Sequence, residues 1–139
     1  PLFIDDFRRL DNGISKINSD VHDIIKKPLN KKFDAAYCLD VLEHINPKDE
    51  NKFLLNTTKS LSKNGIFICG IPSLESQKYA SKESKEGHVN CKTGEQLRKV
   101  LNKYFNNSFM FSMNDEVVHT GFFPMSHYLF GIGCGVKKK

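Results

Sequence analysis

Two histidines supply the groups in this sequence that are best suited to acid–base chemistry. His44 closely follows an apolar run, and His88 lies in a long polar stretch further along the chain. A neutral imidazole can accept a proton near pH 7, so both side chains are candidate general bases. The competing interpretation is that each histidine only caps or packs a local turn. The choice between them depends on the elements that position the two residues.

Composition favours a single globular unit. The chain has 139 residues, of which 39% are apolar. These values fit one soluble domain or a large part of one. No apolar run approaches the roughly 20 residues of a membrane helix, and no signal peptide is visible at the start. We therefore expect no membrane association and a cytoplasmic location.

The basic residues form no stripe, although the formal charge is +5. They are spread along the chain, and three of them are the terminal Lys137, Lys138 and Lys139. Nucleic-acid binders concentrate Lys and Arg on one surface with aromatic residues between them. The pattern indicates a solvated surface, so a nucleic-acid partner is not favoured, although it is not excluded. Four cysteines lie apart without a C-x-x-C pair, and we expect them to be reduced.

Short apolar runs alternate with amphipathic segments, which is typical of an α/β fold. Phe3–Leu10 predicts a short helix, and Ile14–Asn18 predicts a short strand. The nearly continuous apolar run Phe33–Leu39 predicts a parallel strand that is central in its sheet and buried on both faces. A helix should begin after Asn46, which proline and two acidic residues follow, and should close at Lys63–Gly65.

The second half of the chain continues the alternation. Ile66–Ile71 predicts another buried strand, and the polar stretch Ser73–Asn90 predicts a long loop. Thr93-x-x-Gln96 is a capping box, and apolar residues at helical spacing follow it. Two more strands are predicted at Phe109–Met113 and His127–Cys134. Because no helix separates these two strands, they should pair antiparallel. We expect a five-stranded sheet with helices on both faces.

This order of elements resembles the second half of the class I S-adenosylmethionine-dependent methyltransferase fold, whose last strand runs antiparallel. The segment F-D-A-A-Y-C-L-D-V-L-E-H-I, residues 33–45, resembles the fourth strand of that family and the turn after it. Leu61–Ile68 resembles the segment leading into the fifth strand, and Ile71-Pro72-Ser73 resembles the exit from it. The resemblance implies a Rossmann-like sheet that is mostly parallel.

The same resemblance implies S-adenosylmethionine as the cofactor and assigns its contacts. Asp20 would accept a hydrogen bond from the adenine amino group, and the backbone N–H of Val21 would contact the ring. Cys38, Leu39 and Asp40 end the strand that resembles the family's fourth, so they would border the methionine part of the cofactor. Asp20 could instead only cap the turn that follows it.

The family's first strands and its G-x-G-x-G cofactor loop have no counterpart in this sequence. Gly131-Ile132-Gly133 is not a substitute, because it lies within the last predicted strand and no helix N-terminus follows it. We therefore expect residues 1–139 to be one partial methyltransferase domain in which the N-terminal strands are missing. Such a piece should bind the cofactor poorly by itself.

Methyl transfer requires an aligned acceptor and, for a hydroxyl acceptor, a group that removes its proton. The resemblance puts His44 on the acceptor side, and His88 is the second catalytic candidate. Asp40-x-x-Glu43-His44 with His88 also resembles the E-x-x-E-H set of some metal-assisted O-methyltransferases. Asp40 is one methylene shorter than that pattern requires, so the sequence assigns no metal ligand.

The leading hypothesis is O- or N-methylation of a small-molecule or sugar acceptor. An RNA methyltransferase is one alternative, and a non-catalytic binding module that kept the fold is another. Two polar groups, Gly87–Asn90 and Asn114–Glu116 with His119, are further candidates for contact with the acceptor. The residues do not identify that acceptor.

Overall fold

The computed structural model describes residues 21–115, 117–120 and 122–138. The predicted helix Phe3–Leu10, the predicted strand Ile14–Asn18 and Asp20 lie outside the described residues. The strands are β1 (Phe33–Leu39), β2 (Leu61–Pro72), β3 (Phe105–Asn114), β4 (Val117–His119) and β5 (Tyr128–Val136). The helices are α1 (Pro47–Lys59), α2 (Lys82–Gly87) and α3 (Gly94–Tyr104), with 3₁₀ turns at Leu42–His44, Glu75–Tyr79 and Phe123–Met125.

The five strands form one sheet in the order β1-β2-β5-β3-β4. β1 and β2 pair parallel, whereas β5 pairs antiparallel with both β2 and β3, and β4 pairs antiparallel with β3. The antiparallel pairing predicted for the last two long strands is confirmed. Among the described strands only β1 and β2 pair parallel, because β5 and β4 reverse the chain direction. The mostly parallel sheet stays a prediction, since the predicted strand Ile14–Asn18 lies outside the described residues. β1, β2 and β3 still run the same way, so their carboxyl ends share one edge.

β1 occupies the bounds predicted for it. Among the described residues it pairs with β2 alone, and because the predicted strand Ile14–Asn18 lies outside these residues, the central place of β1 stays a prediction. Cys38 points to the core and is buried, whereas Tyr37 and Leu39 point to the opposite face and are 71% and 42% exposed. Burial on both faces needs cover on both sides, and the described residues cover only one face of β1.

The core lies on one face of the sheet, between the strands and the two longer helices. Phe67, Cys69 and Ile71 of β2 are buried there, together with residues of α1 and α3. Close helix–sheet approach depends on Gly131, where an added Cβ would lie 2.4 Å from Leu101 of α3. The two longer helices thus pack on the same face. The prediction of helices on both faces stays a prediction, because the predicted helix Phe3–Leu10 lies outside the described residues.

Capping residues fix where the two longer helices begin. The side chain of Asn46 accepts a hydrogen bond from Lys48 N at the start of α1, and the Thr93–Gln96 capping box opens α3 as predicted. α1 ends earlier than expected, at Lys59, because the chain passes through the cap Ser60 directly into β2. Residues 63–65, predicted as the helix close, lie instead in a bulge where the β1–β2 register shifts.

The stretch predicted as a long loop contains short helices. The 3₁₀ turn Glu75–Tyr79 and helix α2 fall within residues 73–90, where polar composition had indicated no regular element. The side chain of Ser81 accepts a hydrogen bond from Ser84 N and so caps α2. Within the part of the chain that the structure describes, no helix has the length and apolar character needed to span a bilayer.

Candidate functional site

The turn after β1 begins with an unusual backbone conformation. Asp40 adopts a positive φ of 52°, a region that Asp tolerates better than most side chains. The chain then forms the 3₁₀ turn Leu42–His44, in which successive side chains point in different directions. Glu43 is fully buried at 0% exposure, whereas the side chain of His44 is 50% exposed. The turn therefore places the carboxylate of Glu43 in the interior and the adjacent imidazole of His44 at the surface.

The carboxylate of Glu43 has no hydrogen-bond partner on either oxygen among the described residues. His44 Nε2 lies 3.8 Å from Glu43 Oε1, beyond hydrogen-bond distance. Burial raises the pKa of Glu43 above its usual range. Buried polar side chains in folded proteins almost always have partners, because an unmet one costs free energy. Among the described residues Glu43 is an exception to this rule.

Hydrogen bonds fix the orientation of both imidazoles. His44 Nδ1 donates to the carbonyl oxygen of Gly87 at 2.9 Å, and His88 Nδ1 donates to Gln77 Oε1 at 2.8 Å. The amide of Gln77 is itself oriented, since its Nε2 donates to the backbone oxygen of Ser73. Because both acceptors are carbonyl oxygens, each ring carries its proton on Nδ1 when neutral and keeps an acceptor lone pair on Nε2.

These three side chains form one cluster. The centroids of the His44 and His88 rings lie 5.1 Å apart at 64°. One potential ligand atom from each of Glu43, His44 and His88 lies within 4.8 Å of the others. Burial, and then the proximity of His44, lower the pKa of His88, which favours its neutral, proton-accepting form. The structure thus joins the two predicted catalytic histidines with a carboxylate to which the sequence gave no catalytic role.

A network of hydrogen bonds and one ion pair around Asn90 holds the backbone next to the cluster. The backbone N–H of Asn90 donates to the carbonyl oxygen of Glu43, and its side chain donates to Leu42 O and to Glu50 Oε2. Lys92 Nζ lies 2.6 Å from Glu50 Oε2 and donates to Asn90 Oδ1. This network ties the turn after β1 to the segment that carries His88.

Asp40 belongs to a neighbouring contact rather than to the cluster. Its backbone N–H donates to the hydroxyl of Tyr128 at 3.2 Å. Burial, followed by the hydrogen bond to the Asp40 carboxyl group, raises the pKa of Tyr128 well above its usual range. Gly70 makes room for this contact, because an added Cβ would lie 2.7 Å from both Leu39 and the Tyr128 ring. The sequence carried no signal for Tyr128.

The residues predicted to bind the cofactor lie along and beside β1. Cys38 is buried next to Cys69 in the β1–β2 register, and Val21 is 74% exposed. A cleft of about 360 Å³ beside β1 is lined by His22 and Cys38 among others, so the segment that begins at Val21 lies close to this strand. The cofactor contacts assigned to Val21, Cys38, Leu39 and Asp40 stay predictions, and Asp20 is outside the described residues.

The further acceptor candidates lie at the same edge of the sheet, beyond β3. Asn114 ends β3, and its Nδ2 lies 3.5 Å from His119 Nε2. Its Oδ1 accepts a hydrogen bond from the backbone N–H of His127. These contacts order the connection between β3 and β5 and leave any role towards an acceptor a prediction.

Comparisons with known proteins rest on structure alone. No protein-family model matches the chain, and no curated protein matches it. The N-methyltransferase NodS from Bradyrhizobium japonicum WM9, in complex with S-adenosylhomocysteine, superposes with a TM-score of 0.69 at 15% identity, over 97% of this chain and 62% of NodS. A SAM-dependent methyltransferase from Thermotoga maritima gives a TM-score of 0.59 at 20% identity, over 76% and 58%. The small RNA methyltransferase HEN1 gives 0.57 at 16% identity, over 74% and 14%.

These likenesses establish the class of fold. The chain superposes on the three methyltransferases named, and in its own sheet β5 lies antiparallel between β2 and β3. The chain has the class I methyltransferase fold. It spans less than two thirds of the length of each of the three proteins named. Identities of this size show the fold and leave the substrate open.

Proposed function

We propose that the protein containing this chain is an S-adenosylmethionine-dependent methyltransferase that methylates an oxygen or nitrogen atom of a small molecule or sugar. The observation that carries the proposal is the cluster of Glu43, His44 and His88 at the carboxyl edge of a methyltransferase sheet. In open α/β folds ligands bind at that edge. A cluster of oriented, proton-accepting groups is what an acceptor with an acidic hydrogen requires.

The reaction needs few chemical groups from the protein. The acceptor attacks the methyl carbon in line, the carbon–sulfur bond breaks, and S-adenosylhomocysteine leaves while the acceptor loses a proton. His44 and His88 each present an Nε2 lone pair that can take this proton. The lowered pKa of His88 keeps its imidazole in the accepting form near neutral pH.

Binding of the cofactor is supported by the fold and by the residues that end β1. S-adenosylhomocysteine, the product of the cofactor, is bound in the structure of NodS. Cys38, Leu39 and Asp40 are the residues of this chain that would border the methionine part, and Val21 the adenine. Asp40 has a positive φ where the chain turns at the end of β1. This turn leaves the backbone groups of the segment at the edge of the sheet where ligands bind in open α/β folds.

Two other functions fit the same fold. The likeness to HEN1 and the charge of +5 are compatible with an RNA acceptor. A binding module that kept the fold without turnover would retain the sheet but need no preserved proton acceptor. The oriented pair of imidazoles favours an enzyme over the binding module. The likeness to the N-methyltransferase NodS, which has the highest TM-score of the three structures named, is as compatible with a small-molecule acceptor as the likeness to HEN1 is with RNA.

The test is turnover of the full protein, measured as S-adenosylhomocysteine release against panels of small hydroxyl and amine compounds and of RNA. If His44 is the base, His44→Ala should lower turnover by about two to four orders of magnitude with little change in cofactor affinity. His127→Ala, at an exposed histidine outside the cluster, is the matched control. Full activity in His44→Ala would remove its catalytic role, and activity on RNA alone would replace the proposed acceptor.

A further inference from the structure

We propose that Glu43, His44 and His88 form a binding site for a divalent transition-metal ion, with Zn²⁺ as the best-suited ion. The site itself stands on the geometry of the three side chains, whereas its role in catalysis rests on the proposed function. The sequence had assigned no metal ligand, because the pattern began with Asp40. In the structure the candidate ligands are the other three residues, and Asp40 faces Tyr128.

The strongest argument is the buried carboxylate. Both oxygens of Glu43 are buried and lack a hydrogen-bond partner among the described residues. A buried carboxylate is normally paired with a cation or hydrogen-bonded, because its desolvation is otherwise uncompensated. Two imidazoles lie beside it, but each donates its Nδ1 proton elsewhere. A cation bound at the cluster would satisfy the carboxylate and both Nε2 lone pairs at once.

The imidazoles have the supporting contacts that metal ligands have. A metal-binding histidine generally donates its second ring N–H to a carbonyl or carboxylate oxygen, which fixes the ring and its tautomer. His44 does so to Gly87 and His88 does so to Gln77, at 2.9 and 2.8 Å. Gln77 is held in turn by Ser73. Gln77 is therefore a positioning residue for His88.

The distances require a modest closure. One atom from each residue lies within 4.8 Å of the others, whereas the ligand atoms around a tetrahedral zinc ion are roughly 3.3 Å apart. His44 can supply this movement because its side chain is 50% exposed. Glu43 is fully buried and His88 is tied to Gln77, so we expect the ion to bind next to these two residues and to draw His44 in.

The ligand set points to the class of ion and of site. Two imidazoles and one carboxylate suit zinc and related transition metals, whereas magnesium and calcium prefer oxygen ligands alone. Three protein ligands leave a coordination position open, which distinguishes catalytic from structural zinc sites. Under the proposed function, an ion in this position could bind the oxygen of an acceptor and lower its pKa. It would then take the place of His44 and His88 as bases, because an Nε2 lone pair that binds the ion cannot also accept a proton.

The experiment is titration calorimetry of the full protein, without an affinity tag and after removal of metal, with Zn²⁺ as the probe. We expect one site in the wild type, no measurable binding in Glu43→Gln or His88→Ala, and unchanged binding in His127→Ala. Gln77→Ala should bind zinc about 10- to 100-fold more weakly, because it orients His88 without touching the ion.

The outcomes separate this inference from the proposed function. Loss of zinc binding in the two ligand variants, with folding checked by circular dichroism, supports the site even if no methyl transfer is found. Equal zinc binding in the wild type, Glu43→Gln and His88→Ala would place zinc elsewhere, for example on cysteines, and would overturn the site. Absence of binding in the wild type would also overturn it, and methyl transfer without zinc dependence would then leave His44 and His88 as bases.

Discussion

Two carboxylates, the buried Glu43 and the partly buried Glu50, lie close together in the chain and differ in their partners. Glu50 has an 18% exposed side chain and is paired with Lys92 at 2.6 Å and with Asn90 at 2.8 Å. Glu43 is more deeply buried and has no hydrogen-bond partner among the described residues. The same side chain is thus satisfied by the protein in one place and left unsatisfied in the other.

Under the proposed zinc site, Glu50 is a structural carboxylate and Glu43 is a metal ligand. A protein that places Lys92 and Asn90 around Glu50 can compensate a buried charge, and the orientations of His44 and His88 are equally well determined. Under the proposal, a bound cation would compensate Glu43, which has no hydrogen-bond partner among the described residues. Functional sites commonly retain unfavourable local features of this kind, which are offset elsewhere in the fold.

The largest effect should come from breaking the satisfied pair. Lys92→Met leaves Glu50 and Asn90 without their cation in a nearly buried position, so the free energy of unfolding should fall by about 3 kcal/mol. Urea unfolding measures this value. Lys99→Met is the control, because Lys99 and Glu95 form a pair with side chains 71% and 73% exposed and should be nearly neutral. Equal effects of the two substitutions would mean that burial does not distinguish them.

A smaller loss should follow from neutralising the satisfied carboxylate. Glu50→Gln keeps the shape and part of the hydrogen bonding but removes the charge that pairs with Lys92, so we expect about 1–3 kcal/mol of destabilisation. The same urea titration applies. A variant as stable as the wild type would show that the Glu50–Lys92 pair contributes nothing and would weaken the contrast with Glu43.

Local signals in the sequence predicted where the two longer helices begin. The capping box at Thr93 and the N-cap at Asn46 act within one helical turn, so neighbouring residues suffice to set the starts of α3 and α1. The strand order and the bulge at residues 63–65 depend on which strands meet, and no short segment contains that information.

The candidate site was predictable only in part. His44 and His88 were identified from residue type and from the motif after β1. Gln77 and Tyr128 come from segments with no motif and reach the site through tertiary contacts. The burial of Glu43 could not be predicted either. The 3₁₀ turn is only three residues long, so the sequence has no repeating apolar pattern that would distinguish the buried Glu43 from the adjacent, half-exposed His44.

The most direct test of the contrast is the melting temperature of the wild type and of Glu43→Gln, each measured with a chelator and with Zn²⁺. Without metal, the substitution removes an uncompensated charge, so Glu43→Gln should be as stable as the wild type or more stable. With zinc at about 100 times its dissociation constant, the wild type should gain about 2.7 kcal/mol and melt at a higher temperature, whereas Glu43→Gln should not respond. A lower melting temperature for Glu43→Gln in the chelator, together with a wild type that zinc does not stabilise, would show that Glu43 is structural and would contradict the account.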